Sequence, residues 1–360
     1  MGSLAKKLRD LGVESIYFCA GARNASLLSE FKLFKVKHHF DERSATFEAL
    51  GETKVTDKPV VVCTTSGTAV AECLPAVIEA YYSSKKIIII SADRPRKLRF
   101  SNAAQAINQV NIFKDFVASS YTGNLKQLEI ANTGYPIHLN IEIDDSIKEN
   151  CIDYSKEICL NSINNCKICF VISEGHGLSK LQLKLITSSK SMYYIETLAN
   201  TNLAPSSYEI TFEQDLIDNY DSSQFDIIVK VGNTPVTKFW RHLEKSPNES
   251  TVIVSLGEQQ TGLSYGHILP IKSLTRLCEL ALDFKAAVVR KCSSSKLDRL
   301  IEKYPQSEPS CIKSILNSCD ENSIVFVGNS MPIRYTELIK NPNHFYIASR
   351  GANGIDGQIS

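Results

Sequence analysis

The sequence predicts an α/β protein of parallel sheets with helices on both faces, and three observations predict it. Short β-branched or aromatic runs recur along the chain, each followed by a turn or a helix-spaced segment. Those runs are continuously apolar rather than alternating, as strands covered on both faces must be. A second series of the same kind follows a polar, aperiodic stretch at 144–165, so more than one sheet is expected in the 360 residues.

The first series is Ile16–Ala20, Val36–Phe40, Pro59–Thr64, Ile87–Ser91 and Ile137–Ile141, with helical spacing over Ala69–Tyr82. It defines a domain at 1–150. Asp144–Asn165 reads as a linker. The second series is Ile168–Ile172, Met192–Ile195, Asp226–Val231 and Thr251–Ser255, a Rossmann-like middle domain at 166–285. Lys291–Lys296, with its three serines, reads as a second linker. A third unit at 300–360 opens with a helix at Ser310–Ser318 and a strand at Ile324–Val327, and reads as the truncated start of another α/β domain.

Hydrophobic residues make up 43% of the chain and charged residues 22%, as in ordinary globular proteins. The formal net charge is +1 and no long basic run occurs, which argues against a nucleic-acid partner. The longest aliphatic run, Ile87–Ile90, is far too short for a membrane span, and no secretory signal precedes it. Eleven cysteines are scattered, with Cys19, Cys63 and Cys169 in expected strands, which fits free thiols in a reducing cytoplasm. The pair Cys166 and Cys169 has CxxC spacing but enters an apolar strand with no second pair, so it does not read as a metal site.

The chemistry concentrates at turns that follow strands. Lys37-His38-His39-Phe40-Asp41-Glu42-Arg43 reads as a strand ending in an acidic pair, then a helix. A carboxylate there, beside Phe40 and a packed helix, is expected to be partly desolvated, with a raised pKa suited to proton exchange. The same residues also read as simple helix-terminal anions. Ser66-Gly67-Thr68 follows the strand ending at Thr64; its glycine lets backbone approach a ligand, although Thr65 or Ser66 could merely cap a helix.

Together with Ala20-Gly21-Ala22-Arg23-Asn24, Thr64-Thr65-Ser66-Gly67-Thr68-Ala69, Ser91-Ala92-Asp93-Arg94-Pro95, Gly328-Asn329-Ser330 and Ser349-Arg350-Gly351-Ala352-Asn353-Gly354-Ile355-Asp356-Gly357, the acidic turn follows a set order. In that order and spacing the chain resembles the thiamine-diphosphate-dependent 2-succinyl-5-enolpyruvyl-6-hydroxy-3-cyclohexene-1-carboxylate synthases of menaquinone biosynthesis. The resemblance implies a thiamine-diphosphate-binding fold: a pyrimidine-binding domain, a middle domain and a diphosphate-binding domain. It implies a transferase that decarboxylates 2-oxoglutarate on thiamine diphosphate and adds the product to isochorismate. Glu42 matches the cofactor-activating glutamate. Ser66, Gly67 and Thr68 match a loop lying against the cofactor, and Ile355 a residue bracing it. Arg23, Arg94, Gln105, Lys238, Ser330, Arg334 and Arg350 match substrate-contacting positions. Four arginines suit substrates with several carboxylates, because the guanidinium fork pairs bidentately with each. Taken singly, any of them also reads as a surface arginine paired with a nearby acid. The family further implies Mg²⁺ or Mn²⁺, a cytoplasmic homodimer or higher oligomer, and a cleft shared between subunits.

Three positions depart from the pattern. Ala22 replaces a serine, Ala104 precedes Gln105 where asparagine is expected, and Phe239 follows Lys238 where arginine is expected. Each removes a polar contact, typically about 1–3 kcal/mol for a buried partner of a charged group. Two other readings therefore stay open: a different thiamine-diphosphate carboligase or 2-oxoacid decarboxylase, and a non-catalytic remnant that binds a partner. The motif expected to hold Mg²⁺ and the diphosphate is not found, and its ligands are expected beyond residue 360. No metal ligand is therefore assigned within the chain. A polypeptide of residues 1–360 alone is accordingly expected to be inactive and to bind little cofactor.

Overall fold

The computed structural model describes residues 4–130, 134–143, 165–201, 203, 206–283, 294–339 and 341–352. The chain forms two compact units. The first holds a six-stranded sheet; the second holds a five-stranded and a two-stranded sheet.

The strands of the first sheet are β1 (Ser15–Cys19), β2 (Lys35–His39), β3 (Val60–Thr64), β4 (Ile87–Asp93), β5 (Ser119–Gly123) and β6 (Ile137–Glu142), in the order β2-β1-β3-β4-β6-β5. Every pairing is parallel. All positions of β1, β3 and β4 are buried. Alternate side chains of a strand leave opposite faces. Phe18, Val61, Ile88 and Ile90 pack with Leu4 and Leu8 of the helix Leu4–Asp10. Tyr17, Val62, Ile87 and Ile89 pack on the other side with Ala45 and Ala49 of the helix Glu42–Thr56 and Val77 and Ala80 of the helix Leu74–Tyr82. That double cover is what the unbroken apolar runs require.

Two details differ from the sequence reading. Ala69–Tyr82 is two helices, Ala69–Glu72 and Leu74–Tyr82, with proline in the first turn of the second. Pro75 has no N–H to give to Ala71, so the ladder breaks there. β5 lacks an apolar signal because it is a half-exposed edge strand of Ser, Tyr, Thr and Gly.

The second unit contains β7 (Ile168–Ile172), β8 (Met192–Ile195), β9 (Ile227–Val231), β10 (Val252–Leu256) and β11 (His267–Leu269), all parallel, in the order β11-β10-β9-β7-β8. The chain reverses direction across the sheet between β7 and β9, as in doubly wound folds. A short parallel pair, β12 (Ile324–Phe326) and β13 (Phe345–Ile347), follows. Leu316, Val327, Ile333 and Tyr346 from this region share one buried cluster with Leu198 and Val236, so it packs within the same unit as the five-stranded sheet. The three-residue strands β11 and β13 are too short to carry a pattern.

The expected linker at Asp144–Asn165 lies outside the described residues except for Asn165. The serine run of Lys291–Lys296 is not all linker, because a helix begins at Ser294 and runs to Lys303. Leu297, Leu300 and Ile301 supply the helical spacing that extends it.

Asn200 fastens β13. Its side-chain amide donates to the Tyr346 carbonyl at 2.7 Å and accepts from the Tyr346 N–H at 2.7 Å, as a neighbouring strand would. Its own backbone is left-handed, φ 51°, which asparagine tolerates better than most residues. Asn200→Ala removes both bonds and strains the turn, a cost of about 1–3 kcal/mol. Amide exchange at Tyr346 is expected to accelerate at least tenfold in that variant; unchanged protection would show that packing alone holds the strand.

Candidate functional site

Parallel strands deliver all their carboxyl ends to one edge of a sheet. In the first unit that edge carries Glu42 after β2, Arg23 after β1, Ser66-Gly67-Thr68 after β3 and Arg94 after β4. These four strands are consecutive neighbours, so the groups span three interstrand spacings, about 14 Å.

The acidic turn divides its labour. Asp41 is the N-cap of the helix Glu42–Thr56, and its Oδ1 accepts from Ser44 N at 2.7 Å. That hydrogen bond holds its carboxyl below the usual range. Glu42 is the first helical residue and is half-buried. The expected cover from Phe40 is absent, because Phe40 follows the last residue of β2 and is 104% exposed. Glu42 instead faces thiols. Burial, and then the Glu42 charge, push the Cys19 thiol far up; burial, opposed by a hydrogen bond with Thr46 and aided by Glu42, pushes Cys73 to about 12. Both therefore stay neutral beside Glu42. Beside it, Arg43, Ser44, Phe47 and Glu48 line an open hollow of about 400 Å³.

The neighbouring turns are closely fitted. Asn24 is fully buried; it donates to Cys19 O at 2.8 Å and accepts from Gly21 N at 2.9 Å, closing the turn that carries Arg23. A Cβ on Gly21 would stand 2.4 Å from Thr65 Cβ, so only glycine lets this turn meet the 64–68 loop. Arg23 is half-buried and reaches Ile143 O at 3.3 Å. Gly67 has φ +98°, the left-handed region, and a Cβ there would lie 3.4 Å from Gln105 Cβ. Gln105 thus sits against the loop. The Ser66 hydroxyl is buried without a hydrogen-bond partner in the protein.

Beneath this edge lies a polar network that sequence reasoning missed. Gly67 N donates to Gln109 Oε1 at 2.9 Å, and Gln109 Nε2 donates to Asn140 Oδ1 at 2.8 Å. Asn140 Nδ2 donates to Asp93 Oδ2 at 2.8 Å, and Asp93 Oδ1 accepts from Arg94 N at 2.7 Å. Arg99 pairs with Asp93 and with Glu142. Ser91 Oγ lies 2.8 Å from both Asn140 Oδ1 and His138 Nε2. The only available signal was polar residues (Ser91, Asp93, His138, Asn140) interrupting otherwise apolar strands.

In the second unit the predicted basic residues gather around buried acids. Burial lowers the pKa of the Arg350 guanidinium, Glu196 and Glu174 oppose that, and Arg241 and Arg334 reinforce it. Arg334, Arg350 and the unforeseen Arg241 therefore share one electrostatic neighbourhood. Arg350 Nη1 donates to Asn329 Oδ1 at 3.1 Å, and Asn329 Nδ2 to Ser349 O at 2.8 Å, tying the turn after β12 to that after β13. Ser330, at φ 75°, is exposed at the first of these turns. Lys238 opens the helix Lys238–Lys245, whose Phe239 N–H is capped by Glu213 at 2.8 Å. Phe239 is wholly buried against Tyr220 and Trp240, so this position is core. Lys230 is also wholly buried, donates to Gly232 O at 2.6 Å, and is pushed down to about 8 by burial against the pull of Glu196. A polar cleft of about 300 Å³ in this unit, lined by Glu196, Thr197, Asn200 and His344 among others, includes none of the predicted residues. Ile355 lies outside the described residues. Among the described residues no cluster of three His, Cys, Asp or Glu side chains is assembled that could hold a metal ion, and no helix is long and apolar enough to cross a membrane.

Residues 2–112 match the model for the N-terminal TPP-binding domain of thiamine pyrophosphate enzymes. The 2-succinyl-5-enolpyruvyl-6-hydroxy-3-cyclohexene-1-carboxylate synthase of Bdellovibrio bacteriovorus is 31% identical, over 99% of this chain and 75% of its own length. That of Akkermansia muciniphila is 30% identical, over 95% of this chain and 70% of its own length.

The chain belongs to this synthase family.

A benzoylformate decarboxylase structure from Polynucleobacter necessarius aligns with 98% of the chain and 75% of its own, at 15% identity and a TM-score of 0.33. The fold is that of the synthase family's thiamine-diphosphate enzymes: parallel sheets with helices on both faces. The chain's own residues fit one half of such a cofactor. At the edge of the first sheet the half-buried Glu42 opens a helix directly after a strand, the buried Ser66 hydroxyl has no hydrogen-bond partner within the protein, and Gly67 is left-handed.

His138 gives a stability prediction. It is wholly buried, and burial lowers its pKa from 6.5 to about 3. The unfolded chain takes up a proton below pH 6.5 that the folded chain refuses, so its contribution is full above pH 6.5 and falls as pH drops toward 3. The expected slope is about 1.4 kcal/mol per pH unit in that window. Denaturant unfolding of His138→Gln is expected to show a flatter acid limb; an unchanged limb would mean that His138 is charged in the native state.

Proposed function

We propose that the protein is a thiamine-diphosphate-dependent synthase that removes CO₂ from 2-oxoglutarate and joins the remaining four-carbon unit to isochorismate. The observation that carries this reading is the alignment of Glu42, Arg23, the 66–68 loop and Arg94 on consecutive strand ends. The name borne by the Bdellovibrio and Akkermansia relatives supports the same product. When bound, thiamine diphosphate supplies carbanion chemistry that no side chain provides.

The chain's residues do the rest. Glu42 holds and exchanges a proton at its carboxylate, facing the cofactor's pyrimidine ring. Its thiol neighbours Cys19 and Cys73 stay neutral and so add no charge of their own beside that carboxylate. Ser66 and Thr68 offer hydroxyls, and Gly67 lets the backbone approach. Ile355 braces the bound cofactor. Arg23, Arg94, Arg334 and Arg350 clamp substrate carboxylates, with Gln105, Lys238 and Ser330 as polar contacts. Mg²⁺ or Mn²⁺, when bound, would neutralise the charge of the diphosphate, and no described residue is assigned to hold it. In this reading 1–150 is the pyrimidine-binding domain, 166–285 the middle domain and 300–360 part of the diphosphate-binding domain. The protein works as a cytoplasmic homodimer or higher oligomer. One observation favours a second reading, a carboligase with another acceptor: Phe239 is locked in the core, so it cannot be exchanged for a polar contact without rebuilding the site. Replacing isochorismate by other acceptors in the same assay separates the two.

Glu42→Gln is expected to leave the thermal transition unchanged and to lower the rate of CO₂ release from 2-oxoglutarate about 10²–10⁴-fold. Turnover near that of the unmodified protein would remove Glu42 from the mechanism.

A further inference from the structure

We propose that Gln109 is a positioning residue for the Ser66-Gly67-Thr68 loop, fixing the direction of the Gly67 peptide through a one-way chain of hydrogen bonds that ends on Asp93. The proposal rests on the reading of that loop as cofactor-binding.

The chain has a defined sense. The Gly67 N–H points to the Gln109 carbonyl, the Gln109 amide to the Asn140 carbonyl, and the Asn140 amide to the Asp93 carboxylate. Gln109, Asn140 and Asp93 are each wholly buried. Gln109 cannot flip: Nε2 also faces Ala92 O at 3.3 Å, so reversal would set its carbonyl against two acceptors and its amide against the Gly67 N–H. Asn140 is equally fixed, because reversal would set its carbonyl against the Asp93 carboxylate and its amide against the Gln109 amide. Bonds aligned head to tail toward an anion polarise one another, which strengthens the Gln109 carbonyl as acceptor. Arg99 balances the buried Asp93 charge, and Asp93 also holds the Arg94 N–H at 2.7 Å. Gly67 needs such a hold. Its backbone is left-handed and its buried N–H needs an acceptor, which Gln109 supplies, and Ser66 and Thr68 flank that peptide in sequence.

The decisive substitution is Gln109→Glu. Ionised, it presents an acceptor to Asn140 Oδ1 and Ala92 O and breaks the chain. Protonated, its carbonyl accepts from Gly67 and its hydroxyl donates to Asn140, restoring the chain. Between two acceptors, in a buried site, its pKa is expected above the ordinary carboxylate range. Two quantities are measured on the full-length protein, each relative to the unmodified protein at the same pH: amide exchange at Gly67, and thiamine-diphosphate affinity by calorimetric titration. At pH 8, Gln109→Glu and Gln109→Leu are expected to exchange Gly67 at least tenfold faster and to bind the cofactor roughly tenfold or more weakly. As pH falls toward 5, Gln109→Glu is expected to recover both quantities and Gln109→Leu neither. A leucine variant that fails to fold leaves the test intact, because Gln109→Glu carries both arms on its own. Unchanged exchange, unchanged affinity, or a Gln109→Glu deficit that does not depend on pH overturns the proposal. Ser66→Ala separates the underlying reading. If it weakens cofactor binding while the Gln109 variants do not, the positioning role alone fails. If neither Ser66→Ala nor the Gln109 variants alter affinity while Gly67 exchange rises, the cofactor reading of the loop fails and takes the proposal with it.

Discussion

The parallel alignment of the first sheet is the constraint on which the rest depends. Because β2, β1, β3 and β4 all run the same way, their following turns emerge at one edge, and residues distant in sequence become neighbours. No single turn makes a site. Asp41 and Glu42 alone are an acidic helix start, and Arg94 alone is an arginine beside Asp93. Their meeting follows from strand direction and from strand order, and both follow from apolar runs that must be buried on two faces. Where the same logic governs the second unit, the chain's direction across the sheet switches between the paired strands β7 and β9, and the ionisable Glu174, Glu196 and Lys230 lie at or just after the ends of β7, β8 and β9.

Polar residues under such an edge carry a cost, since a buried donor or acceptor without a partner loses about 1–3 kcal/mol. The first unit meets it with side-chain amides. Gln109 and Asn140 each bond on both sides, and Asp93 receives Asn140, Arg99 and the Arg94 backbone. The exceptions stand out for that reason. Ser66 Oγ is left without a partner inside the protein, at the loop that glycine leaves open. His138 Nδ1 is another, and burial keeps that ring neutral.

Much of this was legible in the sequence, for physical reasons. Ile87-Ile88-Ile89-Ile90 and Val60-Val61-Val62 admit few roles other than buried strands, and they are buried strands. Turn residues marked where those strands end, so Glu42, Arg23 and Ser66 could be placed on one edge before any coordinates. The environment of Glu42 was not legible. Whether Phe40 covers it depends on the side taken by one residue in the turn after β2, and Phe40 is exposed there. Gln105 stands out only through the family resemblance, and Gln109 lies in the same irregular segment, where no periodicity says which side chain points inward. Strands as short as β13, and an edge strand as polar as β5, carry no pattern to read. Arg241 escaped because its relevance lies in its proximity to Arg350, far along the chain.

The central claim is that the edge bearing Glu42 and the 66–68 loop receives the pyrimidine ring of thiamine diphosphate. A crystal structure of the protein with the cofactor bound tests it most directly. The account predicts the aminopyrimidine ring at the carboxyl ends of β2 and β3, with a ring nitrogen within about 2.6–3.2 Å of the Glu42 carboxylate and the Ser66 hydroxyl newly hydrogen-bonded. A ring bound elsewhere, out of reach of the Glu42 carboxylate and with Ser66 still without a partner, would contradict it.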